Sequence, residues 1–288
     1  MSPRILKEVS SEVTPVLHTS STSHYLQAIV PVDWKLANIF PLHKKGPRDF
    51  AENYRPISLT SVCPKILEHI VYSGISKHLE NNQILSPRQH GFQPGFSCET
   101  QLVLAINNWS RMLDRGHETD IAIFDFSKAF DSVPHRRLIT KLDYYGIRGN
   151  TQQWITSFLS DRSQCVLING TCSPPLPVIS GVPQGTVLGP LLFLLCINDI
   201  TDNVSSETRL FAMTVFYIVQ SFHCLIGQYS KKTSTHFITG HKPGKCFNAK
   251  KWHILNISWK RQKPCLHYQL GQEALTVVDS YPYLGVTT

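Results

Sequence analysis

The spacing of apolar residues in the first 120 positions predicts one strand and two long helices. The segment WKLANIFPLHKKG (34–46) alternates apolar and polar residues as a half-buried strand does, and it ends on a Lys-Lys-Gly turn. Residues 64–79 place apolar side chains at helical spacing behind Pro64, which fits the first turn of a helix. Residues 99–114 repeat that spacing before Gly116, a residue that commonly ends helices.

The pattern changes at DIAIFDF (120–126), where apolar residues lie on both faces of the predicted strand. Such a strand is expected to be buried on both sides. Two helical segments follow, at 134–147 and 150–162. In 163–179, Asn169-Gly170 supplies the positive φ angles that a type I′ hairpin turn requires. Helices combined with antiparallel strands predict an α+β fold.

Composition indicates a globular intracellular protein. The chain has 288 residues, of which 42% are hydrophobic, enough to bury a core. Its longest apolar run (187–197) is shorter than the roughly 20 residues of a membrane span, so we predict no membrane association. Charged residues occupy the N-terminus where a signal peptide would be apolar, which favours a cytoplasmic or nuclear location.

Cysteine spacing favours reduced thiols. The eight cysteines form no CxxC pair, as expected for a chain in a reducing compartment. Cys165 and Cys172 flank the predicted hairpin turn, so a disulfide between them is the alternative.

The positive charge of the chain is concentrated in one segment. The formal net charge is +8, and residues 208–272 contain ten Lys or Arg but no Asp or Glu. Outside these 65 residues, 18 basic residues are balanced by 20 acidic ones. The charge therefore does not by itself indicate a nucleic-acid groove, and abnormal coding of this segment explains it as well.

Asp125 is the first candidate for chemistry. A carboxylate at the end of a buried strand, between Phe124 and Phe126, is costly unless it is paired or binds a cation. The residue alone allows two interpretations, a metal ligand or a strand-end aspartate that caps the next turn.

Five phrases of the sequence resemble one family. They are NYRPISL, QHGFQPGFSCETQL, IFDFSKAFDSVPH, SGVPQGTVLGPLLFLLCINDI and PYLGV, in this order. Together they resemble the reverse transcriptase domain of non-LTR retrotransposons, the jockey-like and CR1-like elements. The resemblance implies a polymerase-like palm, an antiparallel sheet with helices behind it, plus fingers. We expect no endonuclease region before residue 4 and no thumb after PYLGV.

The resemblance also implies a division of the chain. The predicted parts are an N-terminal helix and linker (1–30), fingers (31–118), a palm with the metal-binding strand and a hairpin (119–217), a divergent segment (218–241) and the end of the palm (242–288).

Carried over to this sequence, the family implies a metal site at Asp125. This residue resembles the palm carboxylate that holds two Mg²⁺ ions, with the carbonyl of Phe126 beside it. Two such ions activate a primer 3′-hydroxyl and stabilise the leaving pyrophosphate. The partners implied are an RNA template, a DNA primer and deoxynucleoside triphosphates. Lys251 resembles the lysine that protonates pyrophosphate, with Lys250 as its alternative.

The resemblance further implies a nucleotide site. Phe130 resembles the ring that excludes a ribose 2′-hydroxyl, whereas without the resemblance ordinary core packing is the first interpretation of this residue. Gln184 and Gly185 resemble the turn that packs on the nascent base pair.

Three basic residues of the predicted fingers complete the nucleotide site. Arg55 and the Lys44-Lys45 pair resemble residues that grip a triphosphate, whereas a solvated turn is the alternative for the two lysines. Asp131 has no metal role in this scheme and is expected to cap the helix at Pro134.

The sequence departs from the family at a hairpin. The family pattern is Phe-Ala-Asp-Asp, whose aspartates supply the second metal carboxylate, but this chain reads Phe211-Ala212-Met213-Thr214. A thioether is a poor ligand for a hard Mg²⁺ ion, so Met213 marks a lost metal site. One residue is also missing before Tyr217. Gln93 and Phe96 replace arginines that are usual in the finger motif.

These departures predict a degenerate copy without polymerase activity. After Tyr217 the resemblance fades and returns near residue 246, which a pair of compensating frameshifts would produce. Two alternatives stay open. The chain is either a non-catalytic nucleic-acid-binding remnant, using Lys44, Lys45, Arg55 and the basic residues of 231–263, or a translation that never accumulates as folded protein.

Overall fold

A computed structural model of the chain describes residues 3–126, 128–202, 207–220, 252–259, 268–270, 273–284 and 286–287. The α-helices are α1 (Pro3–Glu8), α2 (Ser10–Leu26), α3 (Val62–Asn81), α4 (Cys98–Asp114), α5 (His135–Tyr144), α6 (Gly149–Leu159) and α7 (Leu188–Ile197). The strands are β1 (Leu36–His43), β2 (Tyr54–Leu59), β3 (Thr119–Asp125), β4 (Arg162–Ile168), β5 (Thr171–Cys172), β6 (Leu176–Val178), β7 (Glu207–Phe211), β8 (Thr214–Gln220), β9 (His253–Ile257), β10 (Tyr268–Leu270), β11 (Glu273–Val278), β12 (Pro282–Tyr283) and β13 (Val286–Thr287).

These elements form two compact units, each built from two stretches of chain. The first unit comprises Met1–Leu85 and Phe130–Cys196, and the second comprises Ser86–Ala129 and Ile197–Thr288. This division follows packing within the chain and does not test the predicted functional boundaries, which stay a prediction.

The first unit contains a five-stranded sheet with the order β2-β1-β4-β5, in which β6 also pairs with β4. Strands β1 and β4 run parallel, and the other neighbours are antiparallel. The helices contribute a core of large, fully buried side chains. These include Leu67 and Leu79 of α3, Leu138 and Leu142 of α5, Trp154 and Ile155 of α6, and Leu188 and Leu192 of α7.

Charged side chains stabilise both ends of the apolar helix α7. At its start, the Glu68 carboxylate accepts hydrogen bonds from the backbone N–H groups of Val187 (2.7 Å) and Leu188 (3.2 Å). At its end, Lys141 Nζ donates to the carbonyl of Cys196. A negative charge at the N-terminus and a positive charge at the C-terminus both match the helix dipole.

Burial opposes the charge on Glu68. This side chain is 1% exposed, and burial raises its pKa, while its two backbone hydrogen bonds and the nearby Arg162 act in the opposite direction. The buried Arg162 donates to the carbonyls of Phe158 (3.0 Å) and Trp34 (3.3 Å). Its guanidinium also lies 5.0 Å from the centre of the Phe158 ring. The first unit thus holds two buried, hydrogen-bonded charges of opposite sign.

The second unit contains a six-stranded sheet with the order β10-β11-β9-β3-β8-β7. Strand β3 lies in its interior, antiparallel to both β8 and β9, and five of its seven residues are buried. Helix α4 contributes Ala105 and Trp109 to a core that includes Ile121, Ile123 and Leu255. The prediction of a strand buried on both faces is confirmed.

The structure confirms most of the predicted elements but differs at the N-terminus. The linker predicted within residues 1–30, which is rich in Ser and Thr, is helical through Leu26 as part of α2. Within this helix the Thr14 and Thr19 hydroxyls each donate to the carbonyl four residues earlier.

The predicted hairpin turn is confirmed, since Asn169 and Gly170 have φ angles of +50° and +81°. Cys165 and Cys172 are both free thiols, and Cys165 Sγ lies 3.1 Å from Asn38 Oδ1. None of the helices within the described ranges combines the length and apolarity that crossing a membrane requires.

Candidate active site

The end of β3 meets the turn between β7 and β8. Asp125 pairs with Thr214, and Phe211 also pairs with Thr214, so that Ala212 and Met213 form a two-residue turn. Phe126, just beyond β3, donates its N–H to the carbonyl of Met213 at 3.0 Å. The predicted strand-end aspartate and the predicted hairpin are therefore adjacent.

A segment before α4 holds this turn from the other side. Leu210 N–H donates to the carbonyl of Arg88, and His90 N–H donates to the carbonyl of Leu210, both at 2.9 Å. Gln89 Oε1 accepts hydrogen bonds from Gly91 N–H (2.8 Å) and Ala212 N–H (3.1 Å). We call residues 88–91 the turn clasp. The sequence patterns predicted no role for it, although Gln89, His90 and Gly91 open the QHGFQPGFSCETQL phrase.

Tyr283 belongs to the core of the second unit, and Tyr281 and Leu284 pack against that core. Tyr283 is buried and its hydroxyl accepts a hydrogen bond from Gln101 Nε2 at 2.8 Å. Burial raises the pKa of Tyr283 to about 12. The pKa of the half-buried Tyr281 is also raised, first by burial and then by the negative charge of Asp125. The PYLGV phrase therefore anchors to α4, with Tyr281 within the electrostatic reach of Asp125.

The predicted nucleotide residues lie in the first unit, where Gln184 and Gly185 contact β2. Ser58 N–H donates to the carbonyl of Gln184 at 2.9 Å. Gly185 has a φ of +101°, and a Cβ atom there would lie 2.8 Å from the carbonyl oxygen of Ser58. Only glycine permits this approach. The turn thus packs on the strand that carries Arg55.

Phe130 and Asp131 pack against the segment before Gln184. The carbonyl of Phe130 accepts from Val182 N–H at 2.7 Å, and the Phe130 ring lies 5.3 Å from that of Phe193. This ring contact fits the core-packing alternative for Phe130, and its role toward a ribose stays a prediction.

The expectation that Asp131 caps the next helix is wrong. Helix α5 has no side-chain cap at Pro134, and the Asp131 carboxylate instead accepts from Gln184 Nε2 at 3.1 Å. Asp131, for which the resemblance implies no metal role, therefore contacts Gln184, a predicted site residue.

Two of the predicted basic residues, Lys44 and Lys45, lie on the loop between β1 and β2, and the third, Arg55, lies in β2. Lys44, Lys45 and Arg55 are exposed, and the backbone N–H of Lys44 donates to the carbonyl of Asn53 at 2.8 Å. Two further bonds order the loop, from Asn53 Nδ2 to the carbonyl of Pro47 (2.7 Å) and from the Tyr54 hydroxyl to that of Arg48 (3.0 Å). We call residues 44–53 the basic loop.

The predicted site residues fall into two groups. Asp125, Phe126 and Met213 lie in the second unit, and Lys44, Lys45, Arg55, Phe130, Gln184 and Gly185 lie in the first. Lys250, Lys251 and most of the divergent segment lie outside the described residues. Of the two arginine replacements, Gln93 Nε2 lies 3.5 Å from the carbonyl of Ser86, and the Phe96 ring lies 4.3 Å from that of His90.

The described side chains do not fit the metal centre that the resemblance implies. Asp125 lies opposite Thr214, and the turn beside it carries Met213, so neither neighbouring position offers a carboxylate. Across the described ranges, His, Cys, Asp and Glu nowhere form a group of three that could hold a metal ion. A hard divalent ion needs several oxygen ligands, and Asp125 alone provides one carboxylate.

Solved structures first define the fold class. An apo telomerase from Candida tropicalis, truncated from its C-terminal domain, superposes with a TM-score of 0.56 at 11% identity, covering 87% of this chain and 56% of that one. A telomerase from the same organism in complex with a fragment of telomeric RNA gives 0.55 at 11% identity, covering 85% and 45%. The α+β, polymerase palm-like fold is thereby confirmed.

Comparison of the sequence with protein-family models then identifies the family. Residues 42–287 match the family model described as reverse transcriptase (RNA-dependent DNA polymerase). The chain belongs to this family, as the resemblance predicted.

Its relatives in Drosophila melanogaster are transposon proteins. They include a probable RNA-directed DNA polymerase from transposon BS (33% identical over 59% of this chain and 19% of the relative) and the RNA-directed DNA polymerase from mobile element jockey (30%, 59% and 18%). The chain spans about a fifth of the length of these relatives. It is a reverse transcriptase domain of the retrotransposon type.

Proposed function

We propose that this domain derives from an RNA-directed DNA polymerase and no longer catalyses nucleotide transfer. One observation carries the proposal, namely that Asp125 faces a turn composed of Ala212 and Met213 followed by Thr214. In the family pattern this turn supplies the second carboxylate. The thioether of Met213 and the hydroxyl of Thr214 carry no charge, so a pair of divalent cations would lack the negative charge that stabilises it.

The rest of the framework supports descent from a polymerase. The Gln184-Gly185 turn packs on β2, Asp131 orients the Gln184 amide, and the basic loop displays two lysines to solvent. These groups can contact a nucleotide or a nucleic-acid backbone without any metal-dependent step. Loss of catalysis and retention of binding are therefore separate questions, and each has its own test.

Primer extension tests the catalytic part. The purified chain should extend a DNA primer on an RNA template, with Mg²⁺ or Mn²⁺, no faster than its Asp125→Ala variant does. The reason is that Asp125 alone cannot support the reaction. Product above the Asp125→Ala level would contradict the proposal, and a polymerase of the same family run in parallel shows that the assay conditions suffice.

The ordered basic loop favours retained nucleic-acid binding as a second candidate function. Lys44 and Lys45 are exposed on a loop whose backbone is fixed by hydrogen bonds at Asn53 and Tyr54. Such binding should weaken steeply with salt, because each neutralised phosphate releases counterions.

Replacing both lysines tests this second candidate. The Lys44→Gln/Lys45→Gln variant should lower the slope of log affinity against log salt by about 1 to 2 for a single strand, at roughly 0.7 per phosphate contact. Fluorescence anisotropy with a labelled RNA strand measures this slope. The control is Arg136→Gln/Arg137→Gln, which removes two exposed charges from α5 in the same unit. An equal effect of both variants, or no binding at low salt, would contradict it.

A further inference from the structure

The β7–β8 turn adopts a conformation that needs support from outside the hairpin. Ala212 has a φ of +51°, in the left-handed region that a residue with a Cβ atom seldom adopts. Ala212 occupies the first position of a two-residue turn, where glycine is common because it adopts a positive φ at little cost. Its N–H lies in the turn rather than in the strand ladder, so it needs an acceptor from elsewhere.

Gln89 is that acceptor. Its side chain is buried, and its Oε1 accepts from both Gly91 N–H and Ala212 N–H. Because both partners are donors, the oxygen rather than the nitrogen of the amide must face them. The amide nitrogen, by contrast, is buried and makes no hydrogen bond within the described part of the chain. A buried unpaired N–H group is costly, so the polar contribution of Gln89 comes from its oxygen.

The backbone around Gln89 fixes the distance to the turn. The clasp pairs with Leu210 through two hydrogen bonds, as a short addition to the edge strand β7. At Gly91 the chain comes so close that a Cβ atom would lie 2.1 Å from the nitrogen of Ala212. On the opposite side, Phe126 N–H holds the carbonyl of Met213. The two turn residues are therefore tied to two different segments.

We infer that Gln89 is a positioning residue that sets the conformation of the Ala212–Met213 turn and thereby the position of residue 213 beside Asp125. Gln89 acts through the backbone of Ala212 and contacts no reacting group. The inference rests on the proposed function in one respect, since that function identifies position 213 as the place of the missing carboxylate. The hydrogen bond that supports the turn is therefore present, although the carboxylate that the family pattern has at position 213 is not.

Amide hydrogen exchange in the full chain tests the contact directly. Gln89→Met keeps the length of the side chain but has no acceptor, so the Ala212 amide should exchange about tenfold faster while the Leu210 amide, bonded to Arg88, stays protected. Gln89→Glu retains an acceptor oxygen and should restore protection of Ala212. Unchanged exchange at Ala212 in Gln89→Met would overturn the inference. If that variant loses protection at Leu210 as well, Gln89→Glu decides alone: protected Ala212 supports the inference and unprotected Ala212 overturns it.

Mn²⁺ titration followed by electron paramagnetic resonance tests the consequence for residue 213. In a Met213→Asp background, Mn²⁺ should bind with an affinity that Gln89→Met lowers about tenfold and Gln89→Glu restores. A purely structural contribution of Gln89 would alter unfolding without this pattern of loss and rescue. Equal Mn²⁺ affinity in Met213→Asp with and without Gln89→Met would overturn the inference. If Met213→Asp binds no more Mn²⁺ than its Asp125→Ala counterpart, the part of the proposed function that identifies position 213 as the place of the missing carboxylate fails, whereas the exchange at Ala212 still decides the role of Gln89.

Discussion

Gly91→Ala should lower the free energy of unfolding by about 3 kcal/mol, a larger loss than most single substitutions cause. The new Cβ atom would lie 2.1 Å from the Ala212 nitrogen and 2.6 Å from its Cα atom. These neighbours are backbone atoms of a tied turn, so no side-chain rotation can relieve the overlap. Urea unfolding of the full chain measures the loss.

Gly74→Ala is the matched control. Gly74 lies within α3 with no atom within 4 Å of the added Cβ position, and neither glycine has a positive φ. Alanine in a helix interior should stabilise the protein by about 0.5 to 1 kcal/mol. If Gly91→Ala changed the free energy of unfolding as little as Gly74→Ala does, the clasp would not lie as close to the turn as described.

Glu68→Ala should destabilise the protein by about 3 kcal/mol. The substitution leaves the N–H groups of Val187 and Leu188 without their acceptor, and each buried unpaired donor costs about 1 to 3 kcal/mol. It also removes the negative charge near the buried Arg162. Urea unfolding measures the change, with Glu80→Ala as a control, because Glu80 is exposed on the same helix and its loss should cost less than about 0.5 kcal/mol.

Glu68→Gln separates the hydrogen bonds from the charge. The amide oxygen can accept from the same two donors, so at neutral pH this variant should stay within about 1 kcal/mol of the parent. In the parent, burial raises the folded-state pKa of Glu68 above the ordinary value of 4.5, so the folded protein binds this proton more tightly than the unfolded chain does. The contribution of Glu68 to stability therefore declines as the pH rises from 4.5 through the raised pKa and is constant above it. Unfolding between pH 4 and 8 should show that Glu68→Gln removes this decline, and an unchanged pH profile would contradict the assignment.

Local patterns predicted much of the fold. The helix behind Pro64 and the Asn169-Gly170 turn depend on interactions among residues close in sequence, and the run of apolar residues before Asp125 indicates burial on both faces without naming the distant strands that pair with it. The structure confirms all three. The prediction of an N-terminal linker was wrong because Ser and Thr are poor helix formers by propensity, whereas α2 makes tertiary contacts with α6, including one between the Tyr25 and Thr151 hydroxyls.

The candidate site was only partly predictable. The resemblance to the family implied a metal site at Asp125 completed by the hairpin and identified Met213 as the departure, and the structure places the turn of that hairpin beside Asp125. The contact of Gln89 with Ala212 joins residues 123 positions apart, and that of Glu68 with Leu188 joins residues 120 apart. The periodic spacing of apolar residues does not predict contacts between residues so far apart in the sequence. Asp131 was misassigned because a carboxylate shortly before a helix resembles a cap, and its bond to Gln184 depends on the folding of a distant loop.

The central place of β3 has a consequence during synthesis. This strand leaves the ribosome long before either of its neighbours, since β8 begins at Thr214 and β9 at His253. In that interval its apolar residues and both rows of backbone hydrogen-bonding groups lack their final partners. A nascent chain that stalls before residue 207 therefore exposes an apolar strand with two open edges, which is a template for aggregation.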